Sequence, residues 1–256
     1  MLNKIKKNEI TFHNNRYKDD DPRKKLDKFY SIFFLITNEI KKIIKKLDST
    51  EKKILEYGCG ISEYIYFFNT LKSKIYGIDI SENAINKLHR KIQFSKTNKK
   101  LNFSIQDCEY TSFNNSYFDI IFGNGIIHHL DLEKSTKELN RILKVDGVCI
   151  FAEPLGTNML LNLYRFLTPK LRSPDEHPLI FNDFKTFSKY FNNVEIKYYF
   201  FFSLLAFPFR KFKFFVPLVN IFHKLDILLF DNKLFRGVFW YSLIILKEPI
   251  KENTYE

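Results

Sequence analysis

The stretch ILEYGCGIS, residues 54–62, decides how the first half of the chain is interpreted. A β-prone run ends at Tyr57, and Gly58 and Gly60 follow it, which is the pattern of a strand that turns into a helix at a nucleotide site. The third glycine of the dinucleotide fingerprint is absent because Ser62 stands there, and a carboxylate, Glu56, precedes the turn. The turn therefore poses a question: which ligand accepts a negative charge at this position?

Short β-prone runs alternate with helix-like segments around this turn. Strands alternating with helices predict parallel crossovers and an α/β, doubly wound, Rossmann-like sheet. Ligands of such sheets bind at the carboxyl ends of the strands. The predicted strands are KILEY (53–57), KIYGID (74–79), LNFSIQD (101–107), FDIIFGN (118–124) and GVCIFAEP (147–154), with helices at 82–91 and 132–143 between them.

The flanking regions complete a single predicted domain over residues 25–256. Residues 1–24 are polar and charged, and we expect a loosely ordered arm unless something docks it. Apolar residues at helical spacing predict a helix over residues 25–47. After residue 154 we expect helices at 158–167 and 183–191, a strand at 194–202, an aromatic and basic cap, and a last strand at 235–246. The cofactor half is placed at about 50–155 and the substrate-facing half at about 156–246.

Composition narrows the class of protein without choosing its partner. The formal net charge of +12 permits attraction to phosphate in nucleic acid, lipid headgroups or nucleotide-linked substrates. Three cysteines at wide spacings, with no C-x-x-C pair, predict neither a disulfide framework nor a zinc site, so a reducing cytoplasmic compartment fits best. The longest uncharged run near the C-terminus, residues 198–209, is too short to span a bilayer, which predicts a soluble or membrane-peripheral protein.

The carboxylate of Glu56, before the turn, helps to distinguish between possible cofactors. A dinucleotide would bring its pyrophosphate close to Glu56, which is costly unless the charge is paired. A ligand with an ammonium, a sulfonium and no phosphate would favour that carboxylate. LEYGCGIS resembles the first motif of the class I S-adenosylmethionine (SAM)-dependent methyltransferases, E/D-x-G-x-G-x-G, with Ser62 in place of the last glycine. Serine is small and can cap the following helix.

The resemblance covers roughly residues 50–155 and implies a seven-stranded sheet with SAM as cofactor. It implies that Asp79 accepts hydrogen bonds from the ribose hydroxyls, although a nicotinamide-nucleotide site also uses an acid there. It further implies that Asp107 accepts from the adenine amino group while the Cys108 backbone contacts the ring, and that Asn124 borders the methionine. The predicted cofactor-binding residues are Glu56, Gly58, Gly60, Asp79, Asp107, Cys108 and Asn124.

Methyl transfer to a hydroxyl needs a base, and histidine is the natural candidate. His128 and His129, in GIIHHL, follow the fourth predicted strand. His177, in SPDEHPL, is preferred because the adjacent Asp175 and Glu176 could hold its ring. These three histidines are the predicted catalytic residues. The predicted substrate-binding residues are Glu153, which could instead hold a loop, and Asp175 and Glu176.

The favoured activity is O-methylation of a small-molecule, glycan or lipid-linked acceptor. The DEHP turn resembles a segment of bacterial small-molecule, lipid and glycan-modifying methyltransferases. Arg210, Lys211 and Lys213 among phenylalanines suit a membrane surface or an amphipathic acceptor. A helical cap packed on the sheet, with its lysines in solvent, is the slightly favoured interpretation, and both can hold together. The nucleobase-directed motifs of DNA methyltransferases are missing, so nucleic acid is disfavoured. An RNA methyltransferase or a non-catalytic SAM-binding protein remain alternatives, and the oligomeric state is left open.

Overall fold

A computed structural model describes residues 4–17, 30–94, 101–171, 173–230 and 232–251. Seven strands form one sheet, namely β1 (Lys53–Tyr57), β2 (Lys74–Asp79), β3 (Leu101–Ile105), β4 (Phe118–Asn124), β5 (Leu143–Pro154), β6 (Phe191–Tyr199) and β7 (Tyr241–Pro249). Their order in the sheet is β3-β2-β1-β4-β5-β7-β6. The pairings from β3 to β5 are parallel, whereas β7 runs antiparallel to both β5 and β6. The predicted doubly wound, mostly parallel seven-stranded sheet is confirmed.

The central strands are apolar on both faces, as expected for a sheet covered by helices on each side. In β1, Ile54 belongs to one buried cluster and its neighbour Leu55 to another. The same alternation occurs in β4, where Ile120 and Ile121 divide between the two clusters. Because consecutive side chains of a strand point to opposite faces, the two clusters are the two cores of the fold.

Eight α-helices lie in the described part of the chain, and their apolar spacing explains their packing. In α2, Ile36, Ile40 and Ile44 repeat at intervals of four and are fully buried. Helix α5 begins at a clear cap, because the Asp131 side chain accepts a hydrogen bond from the Lys134 backbone N–H at 3.1 Å. The helices are α1 (Lys4–Arg16), α2 (Phe34–Leu47), α3 (Ile65–Phe68), α4 (Glu82–Phe94), α5 (Leu132–Ile142), α6 (Met159–Leu167), α7 (Phe184–Tyr190) and α8 (Phe215–Phe230).

The N-terminal segment forms a docked helix. Most of the predicted polar arm is α1, and its side chains reach residues far along the chain: Lys6 pairs with Asp107 at 2.7 Å, and Ser81 donates to Asn14 at 2.7 Å. These contacts place α1 across the carboxyl end of the sheet. Residues 18–24 of the predicted arm and residues 25–29 of the predicted helix lie outside the described residues.

A helical cap connects β6 to β7, as predicted. It consists of a 3-10 segment (Phe202–Phe209), α8 and a second 3-10 segment (Lys233–Val238). The prediction that the last strand begins at residue 235 is wrong, because β7 begins at Tyr241. Apolar β-prone residues fill both segments, and only the tertiary pairing of β7 with β5 separates the strand from the cap. Among the described helices, none is both long and apolar enough to cross a membrane.

Candidate active site

A cavity of about 1450 Å³ opens at the carboxyl ends of the parallel strands. Its walls come from the loop after β1, the ends of β2 and β4, the segment after β3, helix α1 and the cap. We call the part formed by residues 56–62, 79 and 107–108 the cofactor end. The part formed by α1, the turn after β4, the DEHP turn and the cap is called the acceptor end, and its lining includes Glu9, His13, His128, His129, Asp175, Glu176 and Pro178.

The glycine turn brings backbone close to its neighbours. Gly58 and Gly60 have φ angles of +68° and +50°, which L side chains rarely adopt. A Cβ atom on Gly58 would also collide with the Ile126 side chain, and one on Gly60 with the Tyr17 hydroxyl. Both glycines line the cavity, so the lack of side chains leaves room there for a ligand.

Ser62 replaces the last motif glycine and holds the turn together. Its hydroxyl donates to Glu56 Oε2 at 2.7 Å and accepts from the Tyr64 backbone N–H at 3.2 Å, just before α3. Glu56 lines the cavity but is almost fully buried. Burial raises the pKa of Glu56 to about 8, against the opposing effects of the Ser62 hydroxyl and the Lys91 charge. A cationic ligand group beside Glu56 would therefore find a carboxyl ready to lose a proton.

Asp79 is fixed in place by the backbone. Its Oδ2 accepts from Gly60 N–H and its Oδ1 from Ser81 N–H, both at 2.8 Å. Each carboxylate oxygen can accept a second hydrogen bond, so Asp79 keeps capacity for a pair of hydroxyls. The same contacts tie the end of β2 to the glycine turn at the end of β1.

The residues after β3 contact α1. Asp107 Oδ1 accepts from the Glu109 backbone N–H at 2.9 Å and pairs with Lys6, which also pairs with Glu109 at 2.9 Å. The Cys108 carbonyl accepts from the Tyr57 hydroxyl, and its thiol is buried and unpaired. Asp107 and Cys108 both line the cavity.

The sequence analysis missed the contribution of α1. The side chains of Lys6, Glu9, His13 and Tyr17 line the cavity. A uniformly polar segment gave no amphipathic signal, because the face of α1 that docks is itself polar. The available signal was the spacing of Glu9 and His13, which places a carboxylate and an imidazole on one face of a helix.

His128 sits at the acceptor end with a buried carboxylate behind it. Its Nδ1 lies 2.7 Å from Glu153 Oε2, and the imidazole lines the cavity. Glu153 Oε1 accepts from the backbone N–H groups of Ile126 and Ile127 at 3.0 and 2.9 Å. Burial raises the pKa of Glu153 to about 7, with the backbone donors opposing the shift. Because Glu153 Oε2 and His128 Nδ1 lie within hydrogen-bond distance, one of the two atoms carries a proton and donates it to the other.

Glu153 is thus occupied by protein groups. It is fully buried and is not among the residues that line the cavity. Of its two predicted roles, substrate binding and holding a loop, the contacts fit the second. Asn124, at the end of β4, is exposed and lines the cavity.

His129 contacts α1, whereas its neighbour His128 contacts Glu153. Its Nδ1 lies 3.2 Å from Glu9 Oε2, and its ring meets His13 edge to face with centroids 4.9 Å apart. Burial, followed by the neighbouring His128, lowers the pKa of His129 to about 3. His129 is therefore neutral at physiological pH.

The preferred base of the sequence analysis, His177, lies outside the cavity lining. Its side chain is 65% exposed, and its Nε2 lies 3.2 Å from Asp183 Oδ2. The carboxylate that contacts the His177 imidazole is therefore that of Asp183, six residues further along the chain. The adjacent acids, Asp175 and Glu176, line the cavity instead, and Asp175 accepts a hydrogen bond from the Asn8 side chain of α1 at 3.0 Å. Sequence adjacency was misleading because the turn directs neighbouring side chains apart.

Exposed apolar surface lies on the cap and on α6, which both contribute to the cavity wall. Leu204 and Phe207 of the cap line the cavity, as does Trp240 just after it, and no residue of α6 is buried. Lys211 and Lys213 are exposed between phenylalanines, while Arg210 lies over the Phe207 ring at 4.5 Å. Large apolar side chains are exposed on α6 and the cap, namely Met159, Leu160, Leu163, Phe166, Leu167, Phe209, Phe212, Phe214, Ile221 and Leu228.

Comparisons with known proteins bear on these features. A family described as a methyltransferase domain matches residues 55–151. An uncharacterised methyltransferase of Schizosaccharomyces pombe is 30% identical over 105 residues, which cover 40% of this chain and 71% of that protein. The chain belongs to the class I SAM-dependent methyltransferases.

Two other curated relatives are similar over shorter shares of their length. An uncharacterised protein of Methanocaldococcus jannaschii is 32% identical over 133 residues, or 52% of this chain and 48% of that protein. The demethylmenaquinone methyltransferase of Bacteroides fragilis is 33% identical over 81 residues, or 31% of this chain and 33% of that protein. The chain thus spans half or less of the length of these relatives.

Solved structures show the same fold. The geranyl diphosphate C-methyltransferase of Streptomyces coelicolor, in complex with Mg²⁺, geranyl diphosphate and S-adenosylhomocysteine, has a TM-score of 0.65 and 11% identity. The alignment covers 97% of this chain and all of that one. Phosphoethanolamine N-methyltransferase 2 of Haemonchus contortus has a TM-score of 0.65 and 15% identity, covering 93% of this chain and 60% of that one.

SAM is the cofactor of class I methyltransferases, and the cofactor end fits it. The two glycines leave space that a Cβ would fill, Asp79 keeps acceptor capacity for two hydroxyls, and Glu56 offers a carboxyl to a cation. The individual roles of Asp107, Cys108 and Asn124 toward SAM stay predictions.

Proposed function

We propose that this protein transfers the methyl group of SAM to an oxygen of a small-molecule, glycan or lipid-linked acceptor. The observation that carries the proposal is the His128–Glu153 pair at the acceptor end of the cavity. A hydroxyl is a poor nucleophile until its proton is removed, and a histidine oriented by a buried carboxylate is suited to remove it. His128 therefore replaces His177 as the proposed base.

When bound, SAM supplies an electrophilic methyl group on a positively charged sulfur. The protein's own contribution is alignment and proton transfer. With the Nδ1 proton directed at Glu153, His128 Nε2 carries the lone pair that would accept the hydroxyl proton. The carboxylate then stabilises the imidazolium, while the hydroxyl electron pair forms the new carbon–oxygen bond and the carbon–sulfur bond breaks.

The size and lining of the cavity support a small or amphipathic acceptor. A volume of about 1450 Å³ exceeds the 300–1,000 Å³ common for a single small ligand, which leaves space for a cofactor and an acceptor together. Exposed apolar residues lie on α6 and the cap, which both contribute to the cavity wall, and lysines of the cap lie among them. Such a surface suits an acceptor that has an apolar part, or contact with an anionic membrane.

The relatives act on diverse acceptors, which is why the acceptor class is argued from this chain's own cavity. By their names, those relatives methylate demethylmenaquinone, geranyl diphosphate and phosphoethanolamine. The names include both carbon and nitrogen methylation. The choice of oxygen therefore depends on the proposed role of His128.

The test uses SAM with a tritiated methyl group and three pools of acceptors: organic-soluble metabolites, glycans and RNA. We expect label in the organic or glycan pool, and mass spectrometry of the product should place the methyl group on oxygen. Label confined to RNA would support the nucleic-acid alternative. Tight SAM binding with no transfer to any pool would support a non-catalytic SAM-binding protein.

A further inference from the structure

Three histidines and two glutamates from three separate segments meet beside the cavity. Glu9 and His13 come from α1, His128 and His129 from the turn after β4, and Glu176 from the DEHP turn. The potential ligand atoms of Glu9, His13 and His129 lie within 4.8 Å of one another, as do those of His128, His129 and Glu176. His128 already faces Glu153, so the first set is the more self-contained.

The distances in the first set match those of metal ligands. Glu9 Oε2 lies 3.2 Å from His13 Nε2 and 3.2 Å from His129 Nδ1. Ligands at about 2.0–2.1 Å from a tetrahedral zinc ion are separated by roughly 3.3 Å. Two imidazoles and one carboxylate form a ligand set that zinc accepts, with a fourth position for water.

The burial of these three side chains also supports a metal site. Glu9 and His129 side chains are each only about 5% exposed, and that of His13 is 13% exposed. His129 Nδ1 is buried without a hydrogen-bond partner, although Glu9 Oε2 is within reach of it. A buried polar nitrogen without a partner is costly. A metal ion between the two atoms would satisfy the ring nitrogen.

The supporting contacts agree with a metal site. The Ser173 hydroxyl donates to Glu9 Oε1, which orients the carboxylate and leaves Oε2 toward the histidines.

We propose that Glu9, His13 and His129 bind one divalent transition-metal ion of the zinc type. The ion connects α1 to the turn after β4. Because α1 also contacts Asp107 through Lys6 and Ser81 through Asn14, the ion holds this helix across the cofactor end. The proposal depends on the positions of Glu9, His13 and His129 and not on base catalysis by His128, so metal binding is tested without the methyl-transfer assay.

The first test is titration of metal-free, full-length protein with ZnCl₂, followed by calorimetry, and with CoCl₂, followed by visible absorption. We expect one equivalent of Zn²⁺ to bind and Co²⁺ to give ligand-field bands. E9Q and H13A should each weaken Zn²⁺ binding by at least tenfold to a hundredfold. The matched control is H89A, because His89 is exposed on α4 outside the cluster. No stoichiometric binding by the parent, or equal binding by H13A, H89A and the parent, would overturn the proposal.

The second test measures whether the ion stabilises α1 in its docked position. Hydrogen exchange of the α1 amides is compared with Zn²⁺ and with a chelator, in the parent and in H13A. We expect the ion to slow exchange in the parent and to leave H13A unchanged. His13 lies on a surface helix and is absent from both core clusters, so H13A retains the sheet. If Zn²⁺ does not change the hydrogen-exchange rate of the α1 amides in the parent, direct contacts between Glu9 and the histidines hold the helix, and the proposal fails.

Discussion

The cofactor end and the acceptor end of the cavity are assembled in different ways. The cofactor end uses strand ends that are neighbours in the sheet, and backbone N–H groups fix its main acid, Asp79. The acceptor end brings together α1, the turn after β4, the DEHP turn and the cap, which are widely separated in sequence. Local motifs can specify the first arrangement, whereas the second exists only once the chain has folded.

The largest expected effect lies at the acceptor end. Replacing His128 with Ala should lower turnover by roughly two to four powers of ten if the acceptor is a hydroxyl, because the imidazole that would take the hydroxyl proton is removed. SAM affinity should stay close to that of the parent. The measurements are single-turnover rates on the identified acceptor and calorimetry with SAM.

H177A is the matched control for that experiment, since His177 is exposed and bonded to Asp183. It should retain the parent's turnover. H129A is measured separately because His129 belongs to the Glu9 cluster. Near-parent turnover of H128A would refute base catalysis by His128 and favour transfer driven by alignment alone, or a carboxylate acceptor that is already ionised.

The next effect tests the cofactor end. Replacing Asp79 with Ala should weaken SAM binding by roughly tenfold to a hundredfold, or about 1.5 to 3 kcal/mol, through loss of a charged acceptor for the ribose. Calorimetry measures the change, and E176Q serves as a control that alters the acceptor end only. An unchanged affinity in a folded Asp79 variant would remove Asp79 from the cofactor site.

A smaller effect tests the exposed basic and apolar surface of the cap. Replacing Arg210, Lys211 and Lys213 with Ser should reduce binding to vesicles that contain anionic lipid by roughly tenfold at moderate salt. Sedimentation measures the bound fraction, and neutral vesicles provide the control. If the parent protein itself does not sediment with anionic vesicles, the cap is only a structural cover.

The smallest expected effect is a pH dependence at Glu56. The raised pKa of about 8 leaves this carboxyl mostly protonated at pH 7, whereas the cationic part of SAM favours its ionised form. Binding should therefore release a proton, and SAM affinity should rise about fivefold between pH 7 and pH 8. Calorimetry in two buffers of different ionisation enthalpy measures the proton, and E56Q should show neither the release nor the slope.

The parallel sheet was predictable because each strand carries its own pattern. The β-prone runs and the glycine turn gave β1, β2 and β4 with their correct bounds. The start of β7 was not predictable, because the cap residues before it are as aromatic and apolar as the strand. Only the pairing with β5 and β6 decides where that strand begins.

The acceptor end was harder because its key pairs are distant in sequence. Glu153 and His128 are 25 residues apart in the sequence. Glu9 lies in α1, yet it contacts His129, which follows β4. His177 was preferred because of its acidic neighbours in sequence, but in the folded turn its imidazole contacts Asp183. A single sequence shows adjacency along the chain and carries no direct record of such long-range contacts.

The cap begins and ends at nearly the same point of the sheet. The Trp240 N–H donates to the carbonyls of Tyr199 and Phe200, so the two ends of the insertion are hydrogen-bonded to each other. Replacing a loop whose ends already meet changes chain entropy only slowly with its length. The cap is therefore a modular part: its length and composition can vary while the β6–β7 register, and with it the cofactor end, stays constant. Acceptor preference can diversify at this position without rebuilding the catalytic scaffold.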